Sequence, residues 1–295
     1  MNLFKKKKIL VTHDNTFHSD DVFATATLSI LFNNNIKVIR TRNENEIKKA
    51  DFVYDVGGIY DKDKNLFDHH QLGGAGKRSN GVPYAAFGLV WEKYGEAICG
   101  SKDIADKLDK KLVQAVDAND NGFDLFTLKT EVAPYSFQDV VFSFRPSWKE
   151  APDYDKAFMK VVAIARDVLM REIKKAKDEL EAKNIIEKFY NDSSDKRIIV
   201  IDGNYPWGEI IGRYSEPLYV VFPKNNTWRV ECVRKEKYSF ENRKPLPESW
   251  AGLRDKDLEQ ATGVSGSMFC HNGRFLIVAK TKEGALMLAE KALLA

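Results

Sequence analysis

Three short apolar runs near the N-terminus each end at a histidine or an aspartate. They are Ile9–Thr12, which His13 closes, Phe52–Val56, which carries Asp55 near its end, and Leu66–Phe67, which leads into Asp68, His69 and His70. Short apolar runs of this kind are typical of buried strands in a parallel sheet covered on both faces. Such sheets bind ligands at the carboxyl ends of their strands, so the pattern gathers these polar side chains at one edge.

Helical patterns separate the apolar runs. The sequence predicts helices over Val22–Phe32, Gly81–Tyr94 and Asp103–Ala118, and a further strand at Ile36–Arg40. Strands that alternate with helices indicate an α/β fold, and we expect a mostly parallel sheet in the N-terminal part of the chain.

The second half begins with a long, charged, amphipathic stretch over Asp153–Tyr190. Shorter strand-like and helical segments follow it: Ile198–Ile201, Leu218–Phe222, Trp228–Val233 and Phe275–Val278 as strands, Asp255–Thr262 and Lys282–Leu294 as helices. We therefore expect a metal-binding catalytic domain over residues 1–150, a linking helix over 151–195, and a smaller α/β domain that binds substrate over 196–295.

Composition excludes several classes of protein. A hydrophobic content of 43% over 295 residues can fill one or two cores, which rules out global disorder. The 46 basic and 43 acidic residues nearly balance, so an anionic partner needs a local basic patch. No stretch is long enough to cross a membrane, and no apolar signal segment follows the basic run Lys5–Lys8, which we interpret as solvated charges rather than a nuclear signal or phosphate patch. Three scattered cysteines (Cys99, Cys232, Cys270) make no disulfide framework, which favours a reducing, cytoplasmic location.

Four of the five histidines lie within the first 70 residues, each within two positions of an aspartate. Imidazole and carboxylate without thiolate is the ligand set of manganese, magnesium, iron or zinc at a hydrolytic centre. The many carboxylates favour manganese, with magnesium or zinc as alternatives.

Six side chains are predicted to bind two cations roughly 3.5–4 Å apart. They are His13, His18, Asp20, Asp55, His69 and Asp117. Asp120 is the second choice for the sixth position, because Asp120-Asn-Gly has an alternative interpretation as a turn. Asp14 and Asp21 are expected to orient ligands or to cap a helix.

Several motifs resemble, in order, those of the Myg family of DHH-type metal-dependent hydrolases. In the first half they are Thr12-His13-x3-Phe17-His18-x-Asp20-Asp21, Arg40-Thr-Arg42, Asp55-Val-Gly-Gly58, Asp68-His-His-Gln71 and Asp117-Ala-x-Asp-Asn-Gly122. In the second half they are Pro206-Trp207, Trp228-Arg229, Ser239-Phe240, Arg243, Pro245-Leu-Pro247, Trp250-x-Gly-Leu-Arg-Asp255, Gly263-x-x-Gly266 and His271. The wider DHH phosphoesterases open with His-x3-Asp-x-Asp, so His18 stands where a carboxylate is usual.

The resemblance implies a 3′→5′ exonuclease that acts on RNA and a division of the ligands between two metals. His13, His18 and Asp55 would hold one ion and Asp20, His69 and Asp117 the other, with Asp55 as the bridge. Asp55 and His70 would be the catalytic residues. Asp55 would bridge the metals, and His70 would face the substrate phosphate as a donor or general acid.

The C-terminal half offers candidates for substrate binding. Arg243, Arg254 and His271 would contribute to a basic face for phosphates. The loop from Gly263 to Gly266 would offer backbone N–H groups to an anion. Solvated surface is the competing interpretation for the basic residues, and a helix C-cap is the competing role of Gly263.

The sequence thus predicts a metal-dependent phosphoesterase for single-stranded RNA or a short oligonucleotide. One alternative is a hydrolase of a small phosphorylated metabolite, such as pyrophosphate or a dinucleotide, which the near-neutral charge favours. A second is a non-catalytic nucleic-acid-binding protein with a structural metal, although structural sites are usually closed and four-coordinate. The oligomeric state stays open, with a dimer among the possibilities.

Overall fold

The computed structural model describes residues 6–295, and Lys5 of the basic run Lys5–Lys8 lies outside that range. The chain divides into two compact units, unit 1 up to Ala176 and unit 2 from Lys177 onward. A single helix, Tyr154–Asp192, occupies most of the segment that was expected to link two domains.

Unit 1 contains a five-stranded sheet. Its strands are β1 (Lys8–Thr12), β2 (Ile36–Arg40), β3 (Phe52–Tyr54), β4 (Tyr60–Asp61) and β5 (Leu66–Phe67), in the order β2-β1-β3-β5-β4. All neighbouring pairs are parallel except β4 and β5. The mostly parallel sheet is therefore present, with one short antiparallel strand at its edge that the sequence pattern did not predict.

Several helices accompany this sheet. They are α1 (Ser19–Leu31), α2 (Glu44–Ile47), α3 (Ala86–Cys99), α4 (Lys102–Leu108), α5 (Gln114–Asp120), α6 (Phe137–Ser143) and α7 (Tyr154–Asp192). A π-helical turn, Asp109–Val113, joins α4 to α5 without a break. The helix predicted from Gly81 begins only at Ala86, because Gly81 has a positive φ of 89° and Pro83 disfavours helical geometry in the residue before it.

Aromatic side chains fill much of the core of unit 1. Phe23 stacks on Phe87 with ring centroids 5.2 Å apart, and Phe17 meets Phe158 of α7 edge to face at 5.6 Å. All four are fully buried. Helices α1, α3 and α7 therefore share one apolar core.

Unit 2 has a second five-stranded sheet of different character. Its strands are β6 (Ile198–Val200), β7 (Tyr219–Lys224), β8 (Thr227–Cys232), β9 (Ser267–Cys270) and β10 (Leu276–Ala279), and its helices are α8 (Gly208–Ile211), α9 (Asp255–Thr262) and α10 (Lys282–Leu294). The order is β6-β7-β8-β10-β9, and only β6 and β7 are parallel. Asn225 and Asn226, both with positive φ, form the two-residue turn that makes β7 and β8 an antiparallel hairpin. The fold is thus mixed α/β with two five-stranded sheets.

Two further features bear on the predicted environment. Within residues 6–295, no helix combines the length and the apolar composition that a membrane crossing requires. The three cysteines are free and buried.

Candidate metal centre

The topology of unit 1 brings together the ends of three strands that are followed by predicted metal ligands. Strands β1, β3 and β5 are successive neighbours and run parallel, so their carboxyl ends share one edge of the sheet. His13 follows β1, Asp55 follows β3, and His69 lies just beyond β5. His13, Asp55 and His69 therefore lie at one edge of the sheet, as the positions of the apolar runs in the sequence predicted.

Asp55 lies at the centre of this edge and faces two histidines. One carboxylate oxygen, Oδ2, lies 3.2 Å from Nε2 of His13, and the other, Oδ1, lies 3.9 Å from Nδ1 of His69. The side chain is 3% exposed. Its φ of +55° is in the left-handed region, which costs free energy in a residue other than glycine and is common at functional sites.

Side chains that could ligate metal form three overlapping groups. They are His13 with His18 and Asp55, Asp20 with His69 and Asp120, and Asp55 with Asp68, His69 and His70. Within each group the candidate ligand atoms all lie within 4.8 Å of one another. Asp55 and His69 each belong to two groups, so the groups are contiguous.

The buried polar atoms of this region are suited to a cation. Nδ1 of His69 and Oδ2 of Asp21 are buried and have no hydrogen-bond partner. The pKa of Asp20 is well above its ordinary value, because of burial and then the nearby charge of Asp120. Burial likewise raises the pKa of Asp21 to about 7. Close, buried carboxylates are costly when ionised, and a divalent ion removes that cost, so the residues present fit such ions.

Three arginines hold the four residues that connect His13 to His18. Arg42 donates to the carbonyl of Asp14, Arg40 to those of Asn15 and Thr16, and Arg145 to that of Phe17, at 2.8–3.2 Å. This explains the Arg40-Thr-Arg42 motif, whose role was not evident from sequence. Arg145 carried no signal in the sequence.

Asp21 connects the same two histidines from the other side. Its Oδ1 accepts a hydrogen bond from the backbone N–H of His18 at 2.8 Å. Its Oδ2 lies 3.4 Å from Nε2 of His13. Asp21 therefore both caps the start of α1 and lies beside His13, a predicted ligand, and these are the two roles that the sequence left open for it.

Asp20 is held by the N-terminus of α3. Its carboxylate accepts from the backbone N–H of Ala86 at 3.0 Å and of Phe87 at 2.6 Å. The next N–H, of Gly88, donates to Asp117 at 2.9 Å. Two carboxylates thus satisfy the first N–H groups of α3, and the positive end of the helix dipole stabilises their charge.

Asp117 and Asp120 have different surroundings. Oδ2 of Asp117 lies 2.8 Å from Nη1 of Arg78, whose guanidinium also pairs with Asp109 at 2.7 Å. Burial raises the pKa of Asp117 to about 7 even though Arg78 opposes the shift. Asp120 lies 2.9 Å from Nε2 of His69. The structure therefore brings Asp120 into the cluster and turns Asp117, the first choice from sequence, toward Arg78.

His70 is oriented by Asp68. The Oδ1 atom of Asp68 lies 2.7 Å from Nδ1 of His70, and its Oδ2 atom accepts from the N–H of Gly58 at 2.5 Å. The hydrogen bond between the Asp68 carboxylate and the His70 ring raises the pKa of His70 to about 9. Burial opposes the ionisation of Asp68, but the hydrogen bonds from His70 and Gly58 still lower its pKa to about 2. The pairing with Asp68 thus favours the protonated form of His70, whose side chain is 62% exposed.

A cavity of about 1460 Å³ opens onto these residues within unit 1. Besides the metal-site side chains, it is lined by the aromatic rings of Phe126 and Phe142 and by the basic side chains of Arg42, Lys48 and Lys64. Pockets for single small ligands are usually about 300–1000 Å³, so this cavity has room for a larger ligand.

The predicted substrate residues of unit 2 have structural contacts. The guanidinium of Arg243 donates to the carbonyls of Gly212, Tyr214 and Pro217 at 2.5–3.0 Å. Its donors therefore hold the chain between α8 and β7. Arg254 lies over the ring of Phe269 at 4.4 Å, and His271 accepts from the N–H of Gly273 at 2.9 Å.

The loop from Gly263 to Gly266 is bonded to Glu259 of α9. Gly263, with a φ of +65°, is the C-cap of α9 and donates to the carbonyl of Glu259 at 2.7 Å. The N–H of Gly266 donates to the Glu259 carboxylate at 2.6 Å. These two N–H groups are therefore occupied, and the helix-cap interpretation describes the loop.

A comparison with solved structures finds the RecJ protein of Thermus thermophilus in complex with Mn²⁺. That match covers 98% of this chain and 52% of the RecJ chain, at 11% sequence identity and a TM-score of 0.31. This chain thus spans about half the length of the RecJ chain, and a likeness this weak carries no conclusion about function.

Comparisons of sequence are far more specific. The model of the MYG1 exonuclease family, described as "Uncharacterised protein family (UPF0160)", matches residues 9–293. The MYG1 exonuclease of Rattus norvegicus is 31% identical, covering 96% of this chain and 84% of its own length. The MYG1 protein of Chlamydia trachomatis serovar D is 33% identical, covering 92% of each chain. These matches confirm the resemblance seen in the motifs, and the chain belongs to the MYG1 exonuclease family.

Proposed function

We propose that this protein is a metal-dependent phosphodiesterase that trims single-stranded RNA from its 3′ end. The observation that carries the proposal is the position of Asp55, whose two carboxylate oxygens face His13 on one side and His69 on the other. A carboxylate placed in this way is suited to bridge two cations. The RNA preference and the polarity come from the family resemblance, and relatives named exonuclease support the exonuclease activity alone.

The proposed ligands form two sets that share Asp55. His13 and His18 complete one set, and Asp20, His69 and Asp120 supply the other, with Asp120 in place of Asp117. Manganese is the preferred ion, because the donors are imidazoles and several carboxylates. When bound, a pair of divalent cations lowers the pKa of a water molecule and neutralises charge on the phosphate.

The chain's own residues position the substrate and supply a proton donor. His70 is exposed, and its hydrogen bond with Asp68 raises its pKa to about 9, which favours the protonated form at neutral pH. It can therefore donate to a phosphate oxygen or to the leaving oxygen. The arginine contacts to the carbonyls of residues 14–17 hold the backbone between His13 and His18 in place. This limits the reorganisation of the two histidines that the reaction needs.

The cavity supports an oligonucleotide rather than a small metabolite. Its volume of about 1460 Å³ exceeds what pyrophosphate needs, and this size favours the oligonucleotide. Arg42, Lys48 and Lys64 also line the cavity, each paired with a nearby carboxylate. An open cavity beside the donor groups also argues against a purely structural metal. We assign catalysis to unit 1 and polymer binding to unit 2. The free, buried cysteines are in keeping with a cytoplasmic location.

The test is a cleavage assay with 5′-labelled RNA, with and without Mn²⁺, read as a product ladder. We expect a ladder that shortens from the 3′ end only when Mn²⁺ is present, and no products from the Asp55→Asn variant. Pyrophosphate and a dinucleotide serve as competing substrates. Hydrolysis of either small substrate without cleavage of RNA would contradict the proposal and indicate a metabolite hydrolase. No hydrolysis of any substrate would indicate a non-catalytic nucleic-acid-binding protein.

A further inference from the structure

A short β-hairpin extends from unit 2 between β8 and the 3₁₀ turn at Glu248–Trp250. It is named here the 234–242 hairpin. Arg234 and Asn242 form an antiparallel bridge at its root, and the N–H of Lys235 donates to the carbonyl of Glu241 at 2.9 Å. The backbone of the hairpin is therefore ordered by its own hydrogen bonds.

The tip and the base of the hairpin are also fixed. At the tip, the N–H of Ser239 donates to the carbonyl of Glu236 at 3.2 Å, and the Ser239 hydroxyl accepts from the N–H of Glu241 at 2.9 Å. At the base, the N–H of Arg243 donates to the carbonyl of Val233 at 2.8 Å, while its guanidinium holds the chain before β7. These hydrogen bonds thus hold the backbone from which the side chains of the hairpin project.

Two aromatic side chains on this hairpin are almost fully exposed. Tyr238 is 82% exposed and Phe240 is 89% exposed, whereas Tyr219, Phe222 and Trp250 of the same unit are buried. Exposing large rings gives up the free energy that their burial would contribute. A hydrogen-bonded hairpin that presents two such rings is a candidate interaction site.

A cation accompanies each exposed ring. Nζ of Lys237 lies 5.4 Å from the ring centroid of Tyr238, and Cζ of Arg234 lies 5.1 Å from that of Phe240. Lys237 also pairs with Glu209 at 2.9 Å, which holds the lysine in place. Over residues 234–244 the sequence has five lysines and arginines against two glutamates. Lys235 pairs with Glu241 and Lys237 with Glu209, so the surplus of basic over acidic side chains beside the rings is small and positive.

We propose that the 234–242 hairpin binds single-stranded nucleic acid, with bases stacked on Tyr238 and Phe240 and phosphates beside Lys237 and Arg234. The inference deepens the proposed function and rests on it for the class of substrate. Aromatic rings interleaved with cations are what sequence-tolerant binding of single strands requires. A protein partner would need a larger continuous apolar area than two rings two residues apart provide.

The test is the affinity for a fluorescein-labelled oligoadenylate of about 12 nucleotides, measured by anisotropy in EDTA so that cleavage does not consume the probe. Tyr238→Ala and Phe240→Ala should each raise Kd by at least about fivefold. Phe240→Leu keeps apolar bulk without a ring and should bind as weakly as Phe240→Ala. Phe240→Trp should restore or strengthen binding.

Hydrolysis of a small chromogenic phosphodiester with Mn²⁺ is the matched control, and it should be unchanged in all these variants. Circular dichroism would check that each variant folds. Unchanged oligoadenylate binding in the alanine variants would overturn the inference. Full affinity in Phe240→Leu would overturn the stacking of a base on this ring. If the parent protein binds the oligonucleotide through the hairpin but cleaves no RNA, the proposed function fails while the inference stands.

Discussion

A Cβ atom built on Gly88 would lie 1.8 Å from Oδ2 of Asp117, so the carboxylate occupies the space that a side chain at position 88 would need. Glycine inside a helix costs about 1 kcal/mol relative to alanine, and Gly88 lies in the first turn of α3. The close approach of Asp117 accounts for a glycine at this position. It also shows that Asp117 is built into the packing of α3 against α5.

Gly88→Ala should therefore destabilise unit 1 although alanine is the better helix former. The methyl group would displace Asp117 from Arg78, and we expect a loss of about 2 kcal/mol or more in the free energy of unfolding. Urea denaturation would measure it. Gly208→Ala is the control, because a Cβ there meets no atom within 4 Å, and it should change stability by less than about 0.5 kcal/mol.

Substitutions of Asp117 and Asp120 should show which aspartate has a structural role and which binds metal. Asp120→Asn should weaken Mn²⁺ binding at least about tenfold with little change in stability, because Asp120 lies beside His69. Asp117→Asn should instead lower stability by about 1 to 3 kcal/mol, because Arg78 loses a charged partner. Calorimetric titration with Mn²⁺ and urea denaturation would compare the two. The opposite pattern would restore Asp117 as the ligand.

Asp55→Asn should remove activity and leave the fold intact. Asparagine tolerates the left-handed backbone of position 55, so the substitution changes charge and little else. We expect the rate to fall below about a tenth of that of the parent protein. The parent should also gain thermal stability when Mn²⁺ is added after EDTA, and the variant should gain much less. Scanning fluorimetry would show the difference in thermal stability, and an equal gain in the two proteins would remove Asp55 from the metal site.

Asp68→Asn should move the alkaline limit of activity to lower pH. The pKa of His70 is raised to about 9 by its hydrogen bond with Asp68, so His70 stays protonated, and able to donate, up to that pH. Without the carboxylate its pKa falls toward the ordinary value, and the donor form is lost at a lower pH. The measurement is the pH profile of kcat for the two proteins. Profiles with the same alkaline limb would mean that His70 is not the proton donor.

Arg243→Ala should act on stability. Its guanidinium holds three backbone carbonyls between α8 and β7, so we expect a loss of about 2 to 4 kcal/mol in unit 2. Arg254→Ala is a matched control, since Arg254 is exposed and contacts mainly the ring of Phe269. A selective rise in KM for oligonucleotides with unchanged stability would instead place Arg243 at the substrate.

Local patterns in the sequence were sufficient to predict much of unit 1. The apolar runs predicted β1, β3 and β5 within two residues at each end, and the rule that parallel strands present ligands at their carboxyl ends brought His13, Asp55 and His69 together. Helices α9 and α10 have the predicted bounds, because each starts after a polar cap position and keeps helical periodicity throughout.

The remaining features depend on contacts remote in sequence. The different surroundings of Asp117 and Asp120 depend on Arg78, which lies some forty residues before Asp117, and nothing near either aspartate in the sequence signals that partner. The antiparallel pairing of β7 with β8 follows from the Asn225-Asn226 turn, whose short length excludes a crossover between the two strands. The arginine contacts to residues 14–17 likewise require the fold.

The π turn between α4 and α5 has a geometric consequence for the pairing of Arg78. On a regular α-helix, Asp109 and Asp117 are eight residues apart and would point about 80° away from each other around the axis. A π turn takes up one extra residue, so the two aspartates return to nearly the same angular position and both reach the guanidinium. Deleting one of residues 110–113 should thus convert the turn to regular α-helix without rotating Asp120, whereas the same deletion within α5 would turn Asp120 away from His69.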